Sequence, residues 1–244
     1  MVELLSPLQR PPLIDTVIFD VDGTLAETEE VHRRAFNQAF AEFGLGWVWD
    51  EALYRDLLSV TGGKERIAHY CKKVLGEGEM SPALIAELHQ RKTAIYAGKV
   101  AAGEIALRPG IPEFLEEARS NGVVLAIATT TTPANVEALL DAALGADWRE
   151  IFPVVAAGDM VERKKPAPDV YFLALERLGR DANRCIAIED SRNGVVAAKA
   201  AGLRVIGVRS AYNSDDLSGA SLILPDCRGL SLTLVRQLDE APAN

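Results

Sequence analysis

Cysteine is scarce in this chain of 244 residues, and so are the features that mark membranes, secretion and polyanion binding. The three cysteines, Cys71, Cys185 and Cys227, are odd in number, far apart and outside any Cys-x-x-Cys arrangement, which excludes a disulfide framework and a zinc site. Cys185 opens an apolar run and reads as core. No stretch reaches the roughly 18 apolar residues of a membrane span. The segment Met1 to Pro12 shows no basic block followed by an apolar one, so a soluble, cytoplasmic protein is expected. The formal net charge of -9 repels a polyanion and argues against nucleic acid, while a small anion stays admissible if local cations and a metal receive it. The sequence holds no internal repeat and no low-complexity tract, and only Asp239 to Asn244 read as a frayed tail.

What is present is enough apolar material, 48% of the residues, for one sizeable core carrying an insertion. Short β-branched, apolar runs end in a carboxylate, hydroxyl or glycine and precede segments of helical period: Val17 to Asp20, Val123 to Thr129, Val154 to Gly158 and Ile186 to Asp190. Continuous apolarity suits strands covered on both faces, and helices between them make a parallel α/β sheet. Val205 to Val208 and Leu222 to Leu224 extend it. Between the first two strands, apolar residues recur at helical spacing in Val31 to Phe43, Leu53 to Leu58, Ile67 to Leu75 and Leu84 to Tyr96. The expected organisation is a core of residues 1–26 and 105–244 with a helical subdomain, 27–104, inserted in it.

Ligands of a parallel α/β sheet bind beyond the carboxyl ends of the strands. Those ends carry Asp20-Val21-Asp22-Gly23-Thr24, then Thr129 with three further threonines, then Lys164-Lys165-Pro166 in the loop after the third strand, then Glu189-Asp190. Carboxylates crowded at one crevice raise one another's proton affinity unless a divalent cation shares them. Magnesium, which takes oxygen ligands from one or two carboxylates together with substrate phosphate, suits the set. Phosphate chemistry follows from the residues before any family is considered.

The four groups, in this order, resemble the motifs of the haloacid-dehalogenase (HAD) superfamily over essentially the whole chain. The resemblance implies a Rossmann-like HAD core plus an α-helical cap. It implies that Asp20 is nucleophile and metal ligand, and that Asp22 is general acid and base. Magnesium would bind the Asp22 carbonyl and the Asp190 carboxylate with Glu189 in support, while Lys165 and Thr129 hold the phosphoryl group. Only Lys165 directly precedes Pro166, so Lys164 is expected to be solvated. An Asp two positions after the nucleophile sets the dehalogenase branch aside.

Within the superfamily, Glu27 to His32, Thr61 to Arg66 and Arg91 to Tyr96 look like the CbbY-type branch, close to β-phosphoglucomutase. That branch implies a small phosphorylated sugar as partner: the 1-phosphate of xylulose-1,5-bisphosphate, an inhibitor of the Calvin-cycle enzyme Rubisco, would be removed. Lys64, Arg66 and Lys92 are expected over the substrate's distal phosphate, with Glu27, His32 and Thr130 beside them. Taken alone, His32 fits a packed helix as well as a site, and Gly62-Gly63 fits a plain turn as well as a phosphate loop. His69 and His89 are left as surface or packing residues. A phosphomutase, a phosphoglycolate phosphatase and a non-catalytic phosphosugar sensor remain alternatives, and a monomer is expected.

Overall fold

A computed structural model describes residues 14–75, 80–212 and 216–240. Six parallel strands form one sheet in the order β3-β2-β1-β4-β5-β6, namely β1 (Thr16–Phe19), β2 (Val124–Ala128), β3 (Val154–Ala156), β4 (Cys185–Glu189), β5 (Arg204–Val208) and β6 (Leu222–Leu224). In register, Phe19 lies beside Ile127 on one side and Ile188 on the other, so β1, β2 and β4 end level at one edge of the sheet. Asp20 follows β1, Thr129 follows β2 and Glu189-Asp190 close β4. The switch in strand order falls at β1, where a crevice opens for a ligand.

Successive residues of each strand point to opposite faces. Val17, Phe19, Leu125, Ile127, Ile186 and Ile188 pack on one face, and Ile18, Ala126, Ala128, Cys185 and Ala187 on the other. Both faces are apolar, which is why these runs read as continuous. The second face is lined by small residues, letting α8 (Asp169–Leu178) and α9 (Arg192–Ala200) lie close against the sheet. The first face is covered by α5 (Ile111–Ser120), α6 (Pro133–Leu144), α7 (Trp148–Ile151) and α10 (Leu232–Glu240). Helix α10 includes Asp239 and Glu240 of the expected tail, whose last residues, 241–244, lie outside the described ones, as does the segment Met1 to Pro12.

Four helices fill the interval between β1 and β2: α1 (Glu29–Glu42), α2 (Glu51–Leu57), α3 (Gly63–Leu75) and α4 (Pro82–Ala101). Their starts follow local chemistry. Asp50 and Ser81 accept backbone N–H bonds from Leu53 and Leu84 at the N-termini of α2 and α4, caps worth about 1 kcal/mol each. Phe36, Phe40, Trp49 and Tyr54 pack ring on ring with Trp47 and Tyr70 to form this layer's own core. The two chain crossings meet where Ala26 bridges Leu107 and Arg108 N donates to Leu25 O. Arg108 is buried there, paired with Glu27 at 3.1 Å and donating to the carbonyls of Gly23 and Arg209.

Candidate active site

Strand β1 delivers Asp20 to the sheet edge, its N–H bonded to Ile188 O. The chain then turns through Gly23 at φ +79°, where a Cβ would stand 2.1 Å from an oxygen of Asp190, so the turn and the approach of the carboxylate both require glycine. Lys165 reaches in beneath, and its Nζ donates to Asp20 Oδ1 at 2.6 Å, Glu189 Oε1 at 2.6 Å and Ala128 O at 2.8 Å. Tyr171 donates its hydroxyl to the same Glu189 oxygen at 2.5 Å. Oxygens of Asp20, Glu189 and Asp190 all lie within 4.8 Å of one another, and all three residues are buried.

One lysine does not balance three buried carboxylates. Burial raises the Asp20 pKa to about 8 despite Lys165, with Glu189 and Asp22 adding to the rise, and burial with the charge of Asp20 raises Asp190 well above the ordinary range. Burial works against the Lys165 ammonium, yet Asp20 and Glu189 hold its pKa above the usual value. An all-oxygen donor set with excess negative charge fits a hard divalent cation and no softer ion.

Asp22 sits in a different environment. Burial would raise its pKa, but His32, Thr28 and Lys92 bring it down to about 2. Thr28 donates to Asp22 Oδ1 at 2.5 Å and His32 Nε2 lies 3.0 Å from the same oxygen, while Lys92 Nζ is 2.6 Å from His32 Nδ1. Burial, reinforced by Lys92, lowers the His32 pKa, so a neutral ring accepts from Lys92 and donates to Asp22. Tyr96 stacks on His32 with ring centroids 4.1 Å apart, fixing the imidazole plane.

Above these groups lies a cavity of about 520 Å³ between core and cap. Asp20, Asp22, Thr130, Lys165 and Asp190 line its floor; His32, Arg66 and Lys92 line its roof. Thr129 is buried beside the floor, its Oγ1 accepting from Thr131 N at 3.2 Å. Glu189 lies one layer below, and Glu27 faces Arg108 and Ala211 N at the chain crossing. Lys64 reaches across to Asp159 of the core at 3.4 Å, and both side chains are more than a third exposed. Neither Glu27 nor Lys64 is among the described lining residues.

Sequence reasoning passed over several lining groups. Lys164 was expected in solvent, but its side chain is only 13% exposed and pairs with Glu65 of the cap at 3.0 Å. His89 lines the roof, buried and pushed by burial to a pKa of about 3. Glu29 lines the wall and accepts from the Tyr54 hydroxyl at 2.8 Å, and behind the lining that hydroxyl accepts from Arg66 Nη1 at 3.0 Å. Asn135 and Thr131 extend the floor. Only the threonine run and its proline carried a local signal for this last pair; for the others the partner is remote in sequence.

A crowded carboxylate set with a buried lysine at the strand ends, closed over by helices, is the site of a phosphatase of the α/β class. The chain belongs to the haloacid dehalogenase-like hydrolases, whose family model matches residues 14–202, and within them to the CbbY-type proteins. Protein CbbY of Cereibacter sphaeroides is 52% identical over 213 residues, 87% of this chain and 92% of that one, and a CBBY-like protein of Arabidopsis thaliana is 39% identical over 89% and 70%. The crystal structure of a CbbY variant from Rhodobacter sphaeroides in complex with xylulose-(1,5)bisphosphate superposes with a TM-score of 0.85 at 50% identity, covering 89% of this chain and 96% of that one. A β-phosphoglucomutase from Clostridium difficile shares the fold, with a TM-score of 0.78 at 20% identity over 93% and 97%.

Proposed function

We propose that the protein is a magnesium-dependent phosphatase that removes the 1-phosphate of xylulose-1,5-bisphosphate through a covalent aspartyl-phosphate on Asp20, clearing an inhibitor of Rubisco. The observation that carries the reading is the pairing of a lysine-bound Asp20 with Asp22 on one cavity floor. The 50% identity to a protein crystallised with that bisphosphate supports the choice of sugar. Segment 27–104 acts as a cap. Three free, buried cysteines suit a reducing, cytoplasmic setting.

Magnesium would be held by Asp20, Asp190 and the Asp22 carbonyl, with Glu189 behind them, and supplies neutralising charge for the phosphoryl oxygens. Lys165 favours the ionised form of Asp20 beside a dianion. An Asp20 oxygen forms a bond to phosphorus as the bond from phosphorus to the sugar oxygen breaks, and that oxygen takes a proton from Asp22. The negative charge of the arriving phosphate raises the proton affinity of Asp22 for this step. A water molecule then attacks the same phosphorus, gives its proton to Asp22 and releases phosphate and free Asp20. Thr129 Oγ1 accepts from Thr131 N and so keeps its proton available for a phosphoryl oxygen. The Thr130 to Thr132 strip with Arg66 opposite forms a second polar pole, suited to the other phosphate.

Release of inorganic phosphate across a panel of sugar phosphates, with magnesium and with EDTA, tests the proposal. Preference for xylulose-1,5-bisphosphate with loss of turnover in EDTA is expected. Interconversion of hexose 1- and 6-phosphates would mark a mutase, and preference for phosphoglycolate would move the substrate.

A further inference from the structure

Asn135 stands in the first turn of α6, where the other buried residues, Val136, Leu139 and Leu140, are apolar, and it is only 3% exposed. Its amide donates from Nδ2 to Thr131 Oγ1 at 3.0 Å, while its Oδ1 is buried without a partner among the described residues. An unsatisfied buried carbonyl is a net cost to folding, so packing alone gives no reason for an amide at this position. Both Asn135 and Thr131 line the cavity floor.

A hydroxyl has one proton and two acceptor sites. With one acceptor site of Thr131 occupied by Asn135, its proton stays available to point into the cavity, and among the described residues no carbonyl accepts it. The backbone of this strip is itself fixed. Gly158 N donates to Thr131 O at 3.0 Å, and Gly158 sits so close that a Cβ there would stand 2.1 Å from Thr130 O. A rigid strip with its hydroxyl proton directed outward is a preformed donor for an anion.

We propose that Asn135 is a positioning residue that makes Thr131 a committed donor to the substrate's second phosphate, and thereby sets the preference for a bisphosphate over a monophosphate. The inference rests on the sugar-bisphosphate reading above. A hydrogen bond to a charged group is worth about 10 to 100 fold in affinity, and orienting it is worth the roughly 2 to 10 fold of a neutral hydrogen bond.

The test is a double-mutant cycle read in kcat and KM on xylulose-1,5-bisphosphate and on p-nitrophenyl phosphate, which has no second phosphate. Thr131→Val should raise KM for the bisphosphate by about 10 to 100 fold and Asn135→Leu by about 2 to 10 fold, each by a larger factor than on p-nitrophenyl phosphate. The double variant should be no worse than Thr131→Val alone. Losses that multiply in the double variant, equal losses on both substrates, or a silent Asn135→Leu overturn the proposal. If Asn135→Leu does not fold, Asn135→Ala removes the donor without placing a bulkier or charged group at the site. It should raise the bisphosphate KM when Thr131 is intact and lose most of that effect when combined with Thr131→Val. A wild-type enzyme with no preference for the bisphosphate sinks both readings; a preference without coupling sinks only the role of Asn135.

Discussion

Asp20 and Asp22 lie two positions apart, and their surroundings push their pKa values in opposite directions, to about 8 and about 2. Asp20 is buried among carboxylates, whereas Asp22 is served by Thr28 and His32. Such a split assigns different work to two like groups. Asp20→Asn keeps the shape but cannot attack phosphorus, so the purified variant should fold normally and release no phosphate; appreciable residual turnover would remove the covalent route. Asp22→Asn should slow turnover by about 100 to 10,000 fold. A third residue is decisive through size alone: a Cβ on Gly194 would stand 1.8 Å from Glu189 Oε2. Gly194→Ala should drive that carboxylate off Lys165 and Tyr171 and cost about 3 kcal/mol or more in urea unfolding. A stability loss under about 1 kcal/mol would show that Glu189 has room to move.

At the scale of elements, the cap is tied to the core by contacts at its rim. Lys64 and Lys164 alternate with Asp159 and Glu65, Asn193 Nδ2 donates to Thr61 Oγ1 at 3.2 Å, and Arg55 Nη1 donates to Tyr212 O at 2.8 Å beside the ring of Tyr212. Lys64 and Asp159 are each more than a third exposed, so their pair is screened and worth at most about 1 kcal/mol. Lys64→Ala and Asp159→Ala should therefore each lower kcat/KM by no more than about fivefold, equally on the bisphosphate and on p-nitrophenyl phosphate. Arg66 lines the cavity and is held by Tyr54, Leu57 O and Val60 O. Arg66→Ala should instead impair the bisphosphate selectively, by about 10 to 100 fold. Selective loss in Lys64→Ala would return that lysine to substrate recognition.

For the whole molecule, the uncompensated carboxylates link metal, proton and stability. The raised pKa of Asp20 means that the metal-free fold binds a proton more tightly than the unfolded chain between about pH 4 and 8, so this group's contribution to stability falls as pH rises through that window. Magnesium competes with that proton. The rise in Tm on adding magnesium should therefore grow from about pH 5 to about pH 8, measured against EDTA at each pH. The difference taken at each pH cancels the opposing buried histidines, His32 and His89, whose lowered pKa values make stability rise with pH. A magnesium shift of equal size at both ends of that range would mean that the cation binds elsewhere.

The sequence by itself determined the sheet, since both faces of β1, β2 and β4 are apolar and each strand ends in its polar residue within one position of the expected end. It determined the four cap helices and the grouping of Asp20, Lys165, Glu189 and Asp190, because strand order in a parallel α/β sheet brings strand ends together without reference to side-chain detail. Only the tertiary structure decided which cations face the cavity. Lys64 and Lys164 have the same local character and both reach Asp159, yet Lys64 is 42% exposed and off the described lining while Lys164 is 13% exposed and lies at the cavity wall. It also decided the environment of Asp22, which depends on Lys92, 60 residues from the histidine it touches. Helical period tells which face of a cap helix is buried, but whether that face meets a ring, a lysine or a substrate depends on how the cap is docked, and docking is set by contacts between segments far apart in the chain.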